Sequence, residues 1–126
     1  MLAILMWGLL FNEAPFYEGS VNDVFDKAKQ EEKVLVVDVY TEWCGPCKLM
    51  DRTTWKDETV RSFFEEKVIG YKIDAEKGEG RDFARKYKVS GYPCLLIFNA
   101  KGELIDKRLG YMAARDFLNW ANNSLD

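Results

Sequence analysis

The sequence contains no histidine, and this absence removes several kinds of active site. Ser-His-Asp triads, Cys-His nucleophile pairs, Cys/His zinc sites and haem ligation by histidine all require that side chain. Basic residues are also the minority, with 18 Lys and Arg against 21 Asp and Glu and a formal net charge of −3. This balance argues against a phosphate-binding surface, so we expect no nucleic-acid partner.

Cysteine is scarce as well, with three residues at Cys44, Cys47 and Cys94. A secreted scaffold held by disulfides usually carries more cysteines, in an even number. One close pair and one lone thiol therefore indicate chemistry at the pair rather than a disulfide framework.

Long apolar runs are missing too. The apolar stretch Leu2–Phe11 is too short to span a bilayer as a helix. Its length suits the core of a signal peptide, but no Lys or Arg precedes it and no clear cleavage site follows. We interpret residues 1–18 as an apolar N-terminal extension. It is the remnant of an export signal or membrane anchor, an artificial start, or an ordinary segment that packs on the domain or has no fixed structure.

Residues 19–126 are predicted to form one domain, long enough to bury a core without disulfides. Ser20 followed by Asp23 is a capping-box pattern that opens a first helix. The segment VLVVDVY, rich in β-branched residues, predicts a strand buried on both faces. The predicted order is helix, strand, helix, helix, strand, helix, strand, strand, helix. Such strand–helix–strand units, ending in a hairpin, predict an α/β fold with a central mixed sheet flanked by helices on both faces.

The cysteine pair lies where that first strand gives way to a helix, in the segment TEWCGPCKLM. Free N–H groups and the positive end of the helix dipole favour the thiolate of Cys44 over its thiol. Cys47 lies one turn further, close enough to attack a mixed disulfide on Cys44. Gly45 permits the turn and Pro46 stiffens the ring that a disulfide would close. We therefore expect an exposed attacking thiol and a shielded resolving thiol.

Two other interpretations of the pair compete with a redox couple. A metal site needs four ligands, and only Cys94 and carboxylates could complete one here. We therefore expect no metal and no cofactor beyond the dithiol itself. Two inert thiols in the first turn of a helix are the second alternative.

Three segments resemble the thioredoxin superfamily in their order and spacing. VVDVYTEWCGPCK resembles the active-site segment of that family, VSGYPCLLIFNAKGE its cis-proline segment, and LGYM the glycine turn before its last helix. The resemblance extends from about Gly19 to the C-terminus. Within the superfamily, DVYTEWCGPCKLMDRTTW and YKIDAEKGEG are most similar to exported bacterial thioredoxin-like proteins and to the periplasmic C-terminal domain of the membrane reductant transporter.

The resemblance implies a thioredoxin fold and a thiol–disulfide oxidoreductase that acts on protein disulfides with a thiol electron donor. It implies a monomer in the periplasm or otherwise exported, with the cytoplasm as the alternative and with membrane attachment through the N-terminus left open. The Gly-Pro dipeptide is similar to that of reducing thioredoxins, so we predict a reductase. The alternatives are an isomerase or oxidant, a non-catalytic module that binds partners through Trp43 and Tyr92, and a metal-delivery protein.

Residue by residue, the resemblance makes Cys44 the attacking cysteine and Cys47 the resolving one. Asp38 matches the buried acid behind Cys47. An acid in a buried strand costs several kcal/mol if it is charged and unpaired. Asp51 shares a helix face with both cysteines and matches an acid of the transporter domain, although a solvated surface acid is the simpler alternative. If both acids are shielded, the pKa of at least one carboxyl should be raised.

On the substrate side, the resemblance makes Pro93 the cis-proline that faces the disulfide and exposes the backbone of Tyr92 to a substrate chain. Trp43 matches the tryptophan beside the disulfide, and Gly110 the glycine that lines the partner groove. The simpler alternatives are a core tryptophan, a turn glycine and a proline in a turn or at a strand edge.

The sequence departs from the family at two positions. Many thioredoxins carry a lysine near the buried acid, but Gly70 stands at the matching position and Lys72 follows two residues later. Asp38 is therefore expected to lack that partner. Cys94 stands where threonine is usual. It is predicted to pack as a small buried hydrophobe, with a third redox role as the alternative.

Overall fold

A computed structural model describes residues 14–125 of the chain. Its strands are β1 (Phe16–Tyr17), β2 (Val34–Tyr40), β3 (Val68–Asp74), β4 (Cys94–Phe98) and β5 (Leu104–Leu109). Its helices are α1 (Val21–Glu31), α2 (Gly45–Arg52), α3 (Glu58–Glu66), α4 (Gly80–Lys86) and α5 (Ala114–Asn123), with a 3-10 turn at Thr54–Lys56. No helix within residues 14–125 has the length and apolar character needed to cross a membrane.

The five strands form one mixed sheet in the order β1-β3-β2-β4-β5. β3 pairs in parallel with both β1 and β2, whereas β4 is antiparallel to β2 and to β5. Each face of the sheet has its own apolar core, because alternate residues of a strand point to opposite faces. On one face the core includes residues of α1 and α4, and on the other it includes residues of α2, α3 and α5. The predicted mixed sheet with helices on both faces is confirmed.

Two helices begin at polar side chains that cap them, and the cap at Ser20 was predicted. Ser20 Oγ accepts a hydrogen bond from the Asp23 N–H at 3.1 Å and begins α1. Asp57 Oδ1 accepts from the Val60 N–H at 3.0 Å and begins α3. Both side chains satisfy N–H groups that have no partner within their own helix, which is why these residue types begin helices.

Strand β1 was not predicted, because two residues are too few to show any periodicity. Phe16 pairs with Gly70 and Tyr17 with Tyr71, so part of the predicted extension belongs to the sheet. A Cβ on Gly70 would lie 2.7 Å from the ring of Phe64 and 3.0 Å from that of Phe16, so the two rings occupy the space over this glycine.

The boundary at residue 18 stays a prediction. The export-signal and anchor interpretations concern residues 2–11, which lie outside the described residues.

The sheet brings three chain segments to the same edge. β2 leads at its carboxyl end into α2, while β4 begins and β5 ends beside it, since Val39 is opposite Cys94 and Cys94 is opposite Leu109. The antiparallel pairing thus places the CGPC segment, the segment before β4 and the turn after β5 together.

Candidate active site

The cysteine pair forms a disulfide, with 5.3 Å between the two Cα atoms. Cys44 is the N-cap of α2, and its Sγ accepts a hydrogen bond from the Cys47 N–H at 3.1 Å. Pro46 lies in the first turn of α2, where its missing N–H leaves no helical bond unmade. The start of the helix therefore directs a backbone donor at the sulfur of Cys44, as the sequence predicted.

The expected difference in exposure between the two cysteines is wrong for this oxidised form. Cys44 is 3% exposed and Cys47 is 2% exposed. The disulfide holds Cys44 Sγ over the first turn of α2, against the N–H of Cys47. In this form the two sulfurs are distinguished by their positions in the helix and not by their exposure.

Asp38 is a buried acid with an incomplete set of partners. Its Oδ2 accepts a hydrogen bond from Trp55 Nε1 at 3.0 Å and lies 3.8 Å from Lys72 Nζ. Its Oδ1 is buried and, within residues 14–125, has no hydrogen-bond partner. Burial raises the pKa of Asp38 to about 6, while the nearby Lys72 charge and the bond from Trp55 oppose this rise. Burial thus favours the protonated form of this carboxyl.

The expectation that Asp38 lacks a lysine partner is wrong. Lys72 is directly opposite Asp38 in the register of β2 and β3, and its Nζ also pairs with Asp51. It reaches the side of the sheet that Gly70 faces, because residues two apart in a strand share a face. Position 70 itself has no room for a side chain beneath the rings of Phe16 and Phe64. The lysine is supplied from the next position on the same face instead.

Asp51 joins this group through the shared lysine. Its side chain is 40% exposed, so only Asp38 of the two acids is shielded from water. The Lys72 ammonium also lies 4.6 Å from the centre of the Tyr40 ring, a distance at which a cation is attracted to an aromatic face. Lys72 therefore connects the buried acid to a partly exposed one.

Trp43 is 66% exposed, so the alternative that it belongs to the core is wrong. Its Nε1 donates to Glu76 Oε1 at 2.9 Å, and its ring meets that of Tyr92 edge-on with 5.9 Å between centroids. These two contacts hold an exposed indole beside the CGPC segment. Neither the pairing of Trp43 with Glu76 nor that of Trp55 with Asp38 was predicted, because residues so far apart in the chain show no local spacing signal.

The segment before β4 contains a cis peptide bond between Tyr92 and Pro93. The Gly110 N–H donates to the Pro93 carbonyl at 2.8 Å, which joins this segment to the turn after β5. Gly110 has a φ of +101°, a backbone conformation that favours glycine. Among the described residues, no atom lies within 4 Å of the place that its Cβ would occupy. The backbone conformation thus agrees with the turn alternative, while a role in lining a partner groove stays a prediction.

Cys94 is a free cysteine, 1% exposed, in the core that also contains Leu96 and Phe98. Burial raises the pKa of its thiol, which disfavours the reactive thiolate. Both features support the packing role. Within residues 14–125, no group of three or more Cys, Asp or Glu side chains is arranged to hold a metal ion.

Comparison with known proteins agrees with this geometry. The thioredoxin-like domain family matches residues 21–124. The thiol:disulfide interchange protein DsbD of Tatumella citrea is 34% identical over 104 residues, which are 79% of this chain and 18% of that protein. A thioredoxin of Buchnera aphidicola is 33% identical over 93 residues, which are 71% of this chain and 80% of that protein.

Solved structures show the same likeness. The solution structure of a candidate disulphide isomerase from Bacteroides thetaiotaomicron matches with a TM-score of 0.80 and 35% identity, over 91% of this chain and 95% of that one. The chain spans less than a fifth of the DsbD relatives but most of the thioredoxin. It belongs to the thioredoxin-like family, and Cys44 and Cys47 form its CGPC disulfide at the start of α2.

Proposed function

We propose that this chain is a protein-disulfide reductase. In the reduced form, the Cys44 thiolate attacks one sulfur of a substrate disulfide, and the other substrate sulfur leaves as a thiolate that takes up a proton. Cys47 then loses its proton and attacks Cys44 Sγ, which releases the second substrate thiolate and forms the Cys44–Cys47 disulfide. Two electrons have passed to the substrate, and a thiol donor returns the disulfide to the dithiol.

One observation carries the proposal, namely the disulfide at the N-terminus of α2 with the Cys47 N–H donating to Cys44 Sγ. That bond and the helix dipole stabilise negative charge on the sulfur that attacks first. The same sulfur is the leaving group when the disulfide is reopened. The local structure therefore assists both directions of exchange.

Asp38 is proposed to exchange the proton of Cys47. A group is an efficient general acid or base when its pKa is near the working pH, and the pKa of Asp38 is raised to about 6. Its Oδ1, which has no hydrogen-bond partner among residues 14–125, can take a proton. Asp51 is proposed as the second acid, acting through Lys72, which it shares with Asp38.

The substrate side of the proposal uses the exposed groups around the disulfide. Trp43 offers an exposed aromatic face, and Tyr92 supports it edge-on. An extended substrate chain is proposed to pair with the backbone of Tyr92, beside Pro93 and across from Gly110. Proteins with an accessible disulfide are the proposed substrates, and a dithiol protein is the proposed electron donor.

We place the chain in the periplasm or another exported location. The similarity to thiol:disulfide interchange proteins named DsbD supports this placement. The resemblance of the active-site segment to a periplasmic domain supports it as well. A monomeric state is an expectation from the same resemblance, and attachment to a membrane through the N-terminus is left open.

Disulfide isomerisation is the second candidate function. It is favoured by 35% identity with the candidate isomerase of Bacteroides thetaiotaomicron and by 31% identity with a protein disulfide-isomerase of Zea mays. The two functions differ in reduction potential, about −270 mV for thioredoxin and about −180 mV for protein disulfide isomerase. Titration of the Cys44–Cys47 couple against glutathione distinguishes them, and a potential near the higher value would favour the isomerase.

Trapping tests the roles of the two cysteines. Cys47→Ser should accumulate mixed disulfides with a protein substrate, because no thiol remains to resolve them. Cys44→Ser should accumulate far fewer, and Cys94→Ala, the matched control that keeps the dithiol, should accumulate none beyond wild type. Non-reducing gels with mass spectrometry measure the outcome. Equal trapping by both serine variants would contradict the assigned order of attack.

A further inference from the structure

The segment between β5 and α5, residues 110–113, lies beside the cis-proline segment and makes few backbone hydrogen bonds. At its start, the Gly110 N–H donates to the Pro93 carbonyl at 2.8 Å. Further along, the Met112 carbonyl accepts a hydrogen bond from Thr54 Oγ1 at 2.6 Å. Within the described part of the chain, a side chain from the 3-10 turn after α2 thus helps to hold the middle of this segment.

Thr54 is well placed for such a role. It lies in the 3-10 turn that follows α2, and it is 1% exposed. The bond itself is partly buried, so water competes with it less than with a surface bond, and its loss would leave the Met112 carbonyl without this donor. The hydroxyl of Thr54 therefore constrains the 110–113 segment.

The neighbouring threonine adds a second connection. Thr53 Oγ1 donates its single hydrogen to the Leu49 carbonyl at 2.7 Å. It also lies 3.1 Å from Tyr111 Oη. Since a hydroxyl has one hydrogen to donate, Tyr111 is the donor in this second bond. Two successive threonines thus hold two successive residues of the segment.

We propose that Thr54, assisted by Thr53, is a positioning residue for protein substrates. Both threonines follow directly on α2, the helix whose first turn carries the disulfide. Their hydroxyls hold the 110–113 segment in place beside the cis-proline segment, so the substrate surface proposed along Tyr92, Pro93 and Gly110 is formed before a substrate arrives. The inference rests on the proposed reductase function and adds to it how the substrate groove is held.

A preformed groove lowers the conformational entropy lost when an extended chain binds. Without the threonine hydroxyl, the segment would have to become ordered during binding. The loss should therefore fall on substrates that occupy the groove and not on a small disulfide that needs only the sulfurs. This difference separates a positioning role from general damage to the fold.

The test compares Thr54→Val with wild type, because valine keeps the shape of threonine and lacks the hydroxyl. The KM for a protein disulfide such as insulin should rise about fivefold, the effect of one net hydrogen bond, with kcat unchanged. Turnover of a small aromatic disulfide and the reduction potential should not change. Thr54→Ser restores the donor and should restore the KM.

Thr41→Val is the matched control. Thr41 is also 1% exposed, and its Oγ1 has no hydrogen-bond partner within residues 14–125. Removing this hydroxyl should leave the KM for insulin at the wild-type value. Hydrogen exchange provides a second measurement, and the Gly110 N–H should exchange faster in Thr54→Val than in Thr41→Val.

Each result decides the matter. An unchanged KM for insulin in Thr54→Val, or equal losses on insulin and on the small disulfide, would overturn the positioning role while leaving the reductase function intact. If wild type reduces neither disulfide, both proposals fail.

If Thr54→Val does not fold, Tyr111→Phe replaces it in the test, because Tyr111 is 40% exposed. That variant should raise the KM for insulin by a smaller factor, and an unchanged KM would overturn the proposal.

Discussion

Lys72→Met is expected to raise the pKa of the buried acid Asp38. The Lys72 ammonium lies 3.8 Å from Asp38 Oδ2. The pKa of Asp38 is raised to about 6, and the Lys72 charge keeps it lower than burial alone would make it. Methionine keeps an unbranched apolar chain beside Tyr40 and removes the charge. The substitution therefore tests the electrostatic role of Lys72 with little change in packing.

The size of the effect follows from the distance. Two unit charges about 4 Å apart attract by about 4 kcal/mol at an effective dielectric constant of about 20. The amine of Lys72 is partly exposed and shared with Asp51, so water and the second carboxylate reduce this attraction. A third of it, about 1.4 kcal/mol, still raises a pKa by about one. We expect Asp38 in Lys72→Met to titrate at about pH 7 or above.

The assay is an NMR titration of the Asp38 carboxyl carbon in the oxidised protein. Lys77→Met is the matched control, because it removes a lysine from an exposed ion pair with Glu42. It should leave the Asp38 midpoint in place. Asp51→Asn should shift the midpoint the other way, since the Asp51 charge raises the pKa of Asp38. If the Asp38 midpoint is the same in wild type, Lys72→Met and Asp51→Asn, the charges of Lys72 and Asp51 do not affect Asp38 and the reasoning is refuted.

Two further predictions concern buried groups. The pKa of Asp38 is raised from 3.8 to about 6, so the folded protein binds more protons than the unfolded chain in this range, and stability falls as pH rises through it. Asp38→Asn removes this loss and should increase the free energy of unfolding at pH 7 by about 1–3 kcal/mol relative to wild type, but not at pH 3. Denaturant titrations at both pH values measure this, and an equal difference at both would contradict the linkage. Cys94→Thr should keep insulin reduction within a small factor, because Cys94 packs in the core on the α1 and α4 face; lost turnover in a folded variant would instead indicate a redox role.

Local patterns in the sequence determined the helix starts, the buried strand β2 and the redox pair. Ser20 and Asp57 cap their helices through bonds that reach only three residues along the chain, so their effect is visible in a short window. The Cys44–Cys47 disulfide at the start of α2 is equally local. These features depend on spacing along the chain, and spacing is what a sequence displays.

Tertiary structure alone decided the partners of the buried acid. Lys72 reaches Asp38 across two strands, and Trp55 reaches it from beyond the end of α2. Lys72 stands two positions past the place where the family usually has its lysine. It reaches Asp38 because the strand register places the two residues opposite each other, while the rings of Phe16 and Phe64 fill the space over Gly70. The exposed indole of Trp43 likewise donates to Glu76, 33 residues away. Such contacts join residues that are distant in the chain, and only the folded arrangement of the strands and helices brings them together.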